Sequence, residues 1–236
     1  MKKKIIAPLL ACVSLLSLTA CGNAEPPLDA EDISAVSDPI GPADSGTVAL
    51  PDAGSGNVLI AYFTRADNTV VEDPDSVDVD ASTSASVLAP GNTALMAQYI
   101  QAQVGGALFS IRVTEPYSSD YDECLDRAAD EKAEGARPEL VETVENIADY
   151  DTVYLGFPNW WYTCPMAVFS FVESHDLSGK TIIPFCAHGT AGLSRTIQDL
   201  TAVLPTDVTV LEPIGIFRDE MGQAEELIDQ WLETLA

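Results

Sequence analysis

The chain has 236 residues, 47% hydrophobic and 20% charged, which fills the core of one or two domains and is too apolar for a disordered chain. Its formal net charge is −26, and without the first twenty residues 8 basic side chains face 37 acidic ones, or −29. Such a surface repels nucleic acid and anionic lipid and steers toward basic partners, although plain solubility explains the charge equally well.

At the amino terminus, Lys2, Lys3 and Lys4 precede an apolar stretch from Ile5 to Leu18. That stretch is short for a bilayer crossing and contains Pro8, so residues 1–20 read as a cleaved export signal. It ends in Leu18-Thr19-Ala20-Cys21, which resembles the lipobox of bacterial lipoproteins. The resemblance implies a lipidated Cys21 as the new amino terminus, and an extracytoplasmic protein anchored to the cell membrane without spanning it. Residues 21–56 follow that cysteine with Pro, Asp, Gly, Ser and Ala and no sustained apolar period, the composition of a flexible tether with a mean span of roughly 30 Å.

From Asn57 the character changes, and residues 57–236 read as one globular domain. Val58–Phe63 is a short apolar run behind a turn, as expected of a buried strand, and similar runs recur at 107–113, 152–157, 181–186 and 208–216. Helical patterns separate them at 93–104, 121–134, 166–174, 194–203 and 223–235. Alternation of this kind predicts an α/β domain with a doubly wound, five-stranded parallel sheet and helices on both faces. Ligands of such sheets bind beyond the carboxyl ends of the strands.

Three loops there carry unusual residues. After the first strand stand Thr64 and Arg65, then Asn68-Thr69, about twenty acidic and small residues, and Gly91-Asn92-Thr93. Pro74 stops a helix behind the first Asn-Thr pair, whereas an amphipathic helix follows the second. Asn92 is therefore expected as its N-cap, and Thr64, Arg65, Asn92 and Thr93 as a phosphate-binding corner. After the third strand comes Pro158-Asn159-Trp160-Trp161. Adjacent tryptophans in a loop call for a flat ligand or a core pocket. Covering roughly 200 Å² of ring face contributes about 5 kcal/mol before ordering costs. After the fourth strand come His188 and Gly189 in a small-residue turn that lets backbone amides approach a ligand edge.

Together, Tyr62-Phe63-Thr64, Gly91-Asn92-Thr93, Gly156 to Trp161, Gly179 to Phe185 and His188-Gly189 resemble the flavodoxin-like, FMN-binding family, in order and over about residues 57–236. The resemblance implies strand order 2-1-3-4-5 and non-covalent FMN. Its phosphate would sit at Thr64, Arg65, Asn92 and Thr93, its ring along Pro158, Asn159, Trp160 and Trp161, and its pyrimidine edge at His188 and Gly189. It also implies electron transfer with a redox partner protein or a small-molecule acceptor. Two departures stand out: an insertion near residues 69–90 splits the phosphate loop, and Asn159-Trp160 stands where small electron carriers often place glycine. The second departure keeps a two-electron FMN-dependent reductase open as the alternative. Acidic groups around the site are expected to lower the flavin potential.

The remaining features have plainer readings. Cys124, Cys164 and Cys186 are an odd number with no metal-ligand spacing, expected as buried apolar residues, although Cys164 and Cys186 lie near enough to the site for a redox pair to be considered. Asp122, Glu123, Asp126, Asp130, Glu131 and Glu134 read as a solvated helix face, and His175 as a charge complementing a helix end. The rival classes are a hydrolase using Ser194 or Cys164 with His188, and a surface lipoprotein that keeps the fold without a cofactor.

Overall fold

The computed structural model describes residues 57–83 and 86–235. The export signal, Cys21 and the tether lie outside those residues. Among the described residues no helix is long and apolar enough to cross a membrane.

Strands β1 (Val58–Tyr62), β2 (Ala107–Ser110), β3 (Thr152–Pro158), β4 (Thr181–His188), β5 (Thr209–Val210) and β6 (Ile214–Phe217) form one sheet. Its order is β2-β1-β3-β4-β5, every pairing is parallel, and β6 also pairs with β4. The expected order 2-1-3-4-5 is therefore present. The fifth position differs in one respect: the run at 208–216 is broken, with β5 against Thr181 and Ile182 and β6 against Phe185 to His188. Pro213 falls in the break and has no amide proton for the ladder. Trp231 Nε1 donates to the Glu212 carbonyl there at 3.0 Å.

The helices are α1 (Val79–Thr83), α2 (Asn92–Val104), α3 (Tyr121–Glu134), α4 (Met166–Ser174), α5 (Thr196–Thr201) and α6 (Ala224–Leu235). Strand residues alternate faces, and the two cores follow that period of two. Leu59, Ala61, Phe63, Val153, Leu155 and Phe157 pack with Cys124, Phe169, Phe171 and Leu200 from α3, α4 and α5. Ile60, Tyr154, Ile183 and Phe185 pack with Met96, Ile100, Ile228 and Trp231 from α2 and α6. A sheet covered on both faces explains why its strands read as continuous apolar runs.

Two element ends differ from expectation for local reasons. β2 stops at Ser110, three residues early, because the Asn68 side chain takes over the pairing: its Nδ2 donates to the Ile111 carbonyl at 3.0 Å and its Oδ1 accepts from the Val113 amide at 2.8 Å. The helix expected from Ser194 starts at Thr196, since Ser194 has a left-handed φ of 48°.

Two side chains also change roles. Glu131 is not on the solvated face of α3; it accepts from Tyr117 Oη at 2.7 Å and pairs with Arg127 Nε at 2.8 Å. His175 ends α4 as a neutral brace, not a charge: Nε2 accepts from the Val144 amide at 2.9 Å, and Nδ1 lies 2.7 Å from the Phe171 carbonyl, to which it donates.

Burial lowers the His175 pKa below 6.5, against a smaller opposing effect of the Phe171 bond. The unfolded chain therefore binds this proton more readily, and the stability carried by His175 is present above 6.5 and lost as pH falls through the native value. The expected outcome is that His175→Gln loses part of the pH dependence of urea-unfolding free energy between about pH 7 and pH 5. Identical slopes in both proteins over that range would refute the neutral brace.

Candidate functional site

The carboxyl ends of β1, β3 and β4 open onto a cavity of about 290 Å³, near the lower end of small-molecule sites at roughly 300–1,000 Å³. Its first corner comes from β1 and α2. Thr64 and Arg65 leave the end of β1 almost fully buried, each 1% exposed, and Asn92 and Thr93 line the same corner. The chain between them makes an excursion in which Ala81 and Val87 are buried, and Ser86 reaches the cavity. It returns at Gly91, where φ is 77° and an added Cβ would overlap Thr64 Oγ1. Gly91 therefore rejoins the two halves of a loop that the sequence separates, and only glycine fits. It is also the residue that caps α2. Asn92 is the first helical residue, not the N-cap, and its side chain is left for the cavity. The other pair, Asn68-Thr69, is structural: Asn68 is buried and bonded to Thr64, Ile111 and Val113.

Arg65 dominates the electrostatics. Its Nη2 donates to the carbonyls of Ser118, Ser119 and Asp120 at 2.8, 3.2 and 3.1 Å. Nε and Nη1 are buried without a hydrogen-bond partner, and none of the ion pairs among the described residues involves Arg65. A buried guanidinium left half-satisfied is costly unless an anion completes it. The α2 amino terminus beside it presents amides with no intrahelical acceptor. Among the described residues no Asp or Glu lines the cavity, in a chain with 37 of them, whereas Arg65 and Arg218 both do. The expectation of acidic groups around the site is thus reversed.

The second wall comes from the end of β3. Pro158 and Asn159 line it, and a tight turn follows: Trp160 and Thr163 exchange backbone bonds at 2.7 and 3.1 Å. Trp161 and Tyr162 occupy the two central positions with φ of 51° and 68°. Left-handed φ at two consecutive aromatic residues is strained, roughly 1–2 kcal/mol each. Clamps hold the turn: Lys132 Nζ donates to the Trp161 carbonyl, Trp161 Nε1 donates to the Leu125 carbonyl at 2.9 Å, and the Arg195 amide donates to the Tyr162 carbonyl at 3.2 Å. The two tryptophans do different work. Trp160 wedges edge-on between Phe63 and Tyr117, at ring centroids 5.4 and 5.1 Å, while Trp161 is 42% and Tyr162 60% exposed.

The third wall is the end of β4, with His188 and Gly189. His188 Nδ1 lies 2.7 Å from the Gly189 carbonyl. Asn159 joins this wall to the second: its amide donates to Ala187 O at 3.1 Å, and its Nδ2 donates to Gly192 O and to Ser194 Oγ at 3.2 Å. Asn159 and Trp160 therefore share one cavity with Asn92 and His188, and Thr64, Arg65, Thr93, Pro158, Trp161 and Gly189 line it too.

The sequence reading missed one face of α3, Arg218 and Tyr162. Tyr121, Cys124, Leu125 and Ala128 line the cavity at helical spacing, a stripe that in sequence reads as ordinary core. Arg218 was detectable as the residue just past β6, had the strand end been placed at Phe217. The hydrolase arrangements are not formed: Ser194 Oγ donates to Ala191 O at 2.7 Å and His188 Nδ1 is engaged by the Gly189 carbonyl, with no hydrogen bond between the two side chains, and Cys164 is 1% exposed. Cys164 and Cys186 are free thiols in the core, their pKa values pushed up by burial, and they do not form a disulfide.

Tyr162→Gly is expected to stabilise the protein by about 0.5–1 kcal/mol, the relief of strain less the entropy cost of glycine. Chemical denaturation measures it; a less stable variant would mean the turn is not strained.

Residues 82–235 match the family described as Flavodoxin. Among solved structures, a candidate flavoprotein from Bacteroides eggerthii is 28% identical with a TM-score of 0.57, covering 76% of this chain and 98% of that one. A second, from Bacteroides uniformis, is 27% identical with a TM-score of 0.59, covering 76% and 99%. A flavoprotein from Lactobacillus acidophilus, solved in complex with FMN, shares the fold at 15% identity and a TM-score of 0.51, covering 75% and 99%. No curated protein matches the chain.

Proposed function

The chain belongs to the flavodoxin family, and on that premise we propose that it is an FMN-binding electron-transfer protein held at the outer face of the cell membrane through a lipid on Cys21. The observation that carries the cofactor is Arg65, buried at 1% exposure with two unpartnered nitrogens at a cavity that no carboxylate among the described residues lines. A phosphate supplies the missing acceptors. Thr64, Arg65, Asn92 and Thr93 hold it, with the α2 amino terminus completing the corner.

Bound FMN supplies the electron-carrying chemistry. The protein holds and shields it. Trp160 is fixed by Phe63 and Tyr117 and gives the ring side a rigid floor, while Trp161 and Tyr162 provide aromatic surface at the open side. Asn159 keeps that wall registered to the end of β4, where His188 and Gly189 would hold the pyrimidine edge. With the lipid at Cys21 and a tether over the following residues to 56, the domain works within reach of the membrane surface and exchanges electrons with a redox protein or small-molecule acceptor. The Leu18-Thr19-Ala20-Cys21 stretch supports that anchoring. A two-electron reductase is the second reading, favoured by the cationic lining of the cavity.

Purified protein incubated with FMN and then freed of unbound flavin is expected to retain absorption between about 350 and 500 nm, and titration with it to quench flavin fluorescence. Arg65→Gln should weaken FMN binding by roughly 10–100-fold and leave riboflavin, which lacks the phosphate, little changed. A protein that stays colourless with FMN would refute the reading. Cell fractionation tests the anchor: Cys21→Ser should leave the membrane fraction.

A further inference from the structure

Arg218 has no part in the phosphate corner. It follows β6 directly, and β6 lies three strand positions from β1 in the order β2-β1-β3-β4-β6, a separation of roughly 14 Å at the sheet edge. The cavity therefore has a guanidinium at each end. Arg218 lines it beside His188 and Gly189, its Nη1 3.9 Å from where a Cβ on Gly189 would stand. The side chain is 34% exposed, and Nε pairs with Asp219 Oδ1 at 3.6 Å; Asp219 is 71% exposed and does not line the cavity. Among the described residues the lining at this end carries the Arg218 guanidinium and no carboxylate, although the chain as a whole is strongly negative.

We propose that Arg218 makes the site bind reduced, anionic FMN more tightly than oxidised FMN, so that it sets the redox potential of the bound cofactor. This rests on the FMN reading above. Two electrons and one proton added to the neutral ring leave one net negative charge. Dithionite supplies the electrons in the test and leaves as sulfite, and water supplies the proton. A cation at the His188–Gly189 end favours that charge, and the Asp219 carboxylate partly offsets it.

The experiment measures the dissociation constants of oxidised and dithionite-reduced FMN, anaerobically, with the full-length protein and its variants. Arg218→Gln is expected to lower the ratio of oxidised to reduced constants about tenfold, which for a two-electron couple is about 30 mV. Arg218→Lys keeps most of the preference. Asp219→Asn moves the ratio the other way, by about threefold, because it removes the offsetting charge. A ratio in Arg218→Gln equal to wild type overturns the inference while FMN binding stands, and so does a fall in Asp219→Asn. Failure of the wild-type protein to bind oxidised FMN overturns the proposed function and this inference with it.

Discussion

A guanidinium that is 1% exposed, fixed through one nitrogen to three carbonyls and unpartnered through the other two, constrains everything around it. The three carbonyls belong to the segment entering α3, so Arg65 ties the end of β1 to the start of the helix whose apolar stripe forms a cavity wall. Among the described residues no carboxylate lines the cavity to compete for its two remaining nitrogens, whose burial without an acceptor is costly. In a chain this acidic, a lining without Asp or Glu among the described residues marks the site as clearly as the arginine itself.

The other two walls are rigid for a different reason. Trp160 sits between Phe63 and Tyr117, and Tyr117 is in turn held by Glu131 and covered by Arg127, whose guanidinium carbon lies 4.1 Å from the ring centroid. Packing fixes the floor while strain is concentrated in the two aromatic residues that project from it. Strain of that kind persists where neighbouring bonds over-determine the backbone, and here Lys132, Leu125 and Arg195 provide them.

The parallel sheet and the three converging loops were legible in the sequence because buried parallel strands and amphipathic helices leave distinct periods, and because Thr64, Asn92, Trp160 and His188 stand out chemically; the strand order followed only from the family resemblance. What was hidden depended on contacts between segments far apart in the chain. That Asn68 is a structural brace and Gly91 the true cap follows from backbone approaching Thr64 and Ile111, which no local pattern records. Trp160 and Trp161 look equivalent as neighbours, yet a turn with two left-handed residues sends one inward and leaves the other at the rim. Glu131 and His175 carried the residue types of solvated or charged groups and were read by type, whereas Tyr117 and the Val144 amide decide their roles. Arg218 escaped because a proline break made the last strand's end ambiguous.

That break has a consequence for how the molecule meets its neighbours. An outermost strand of nine uninterrupted residues would display a row of unsatisfied amides and carbonyls to any passing chain, an invitation to intermolecular strand addition. Divided into segments of two and four residues, with a proline between them and the Trp231 indole engaging the Glu212 carbonyl, the margin of the sheet offers no long template for polymerisation.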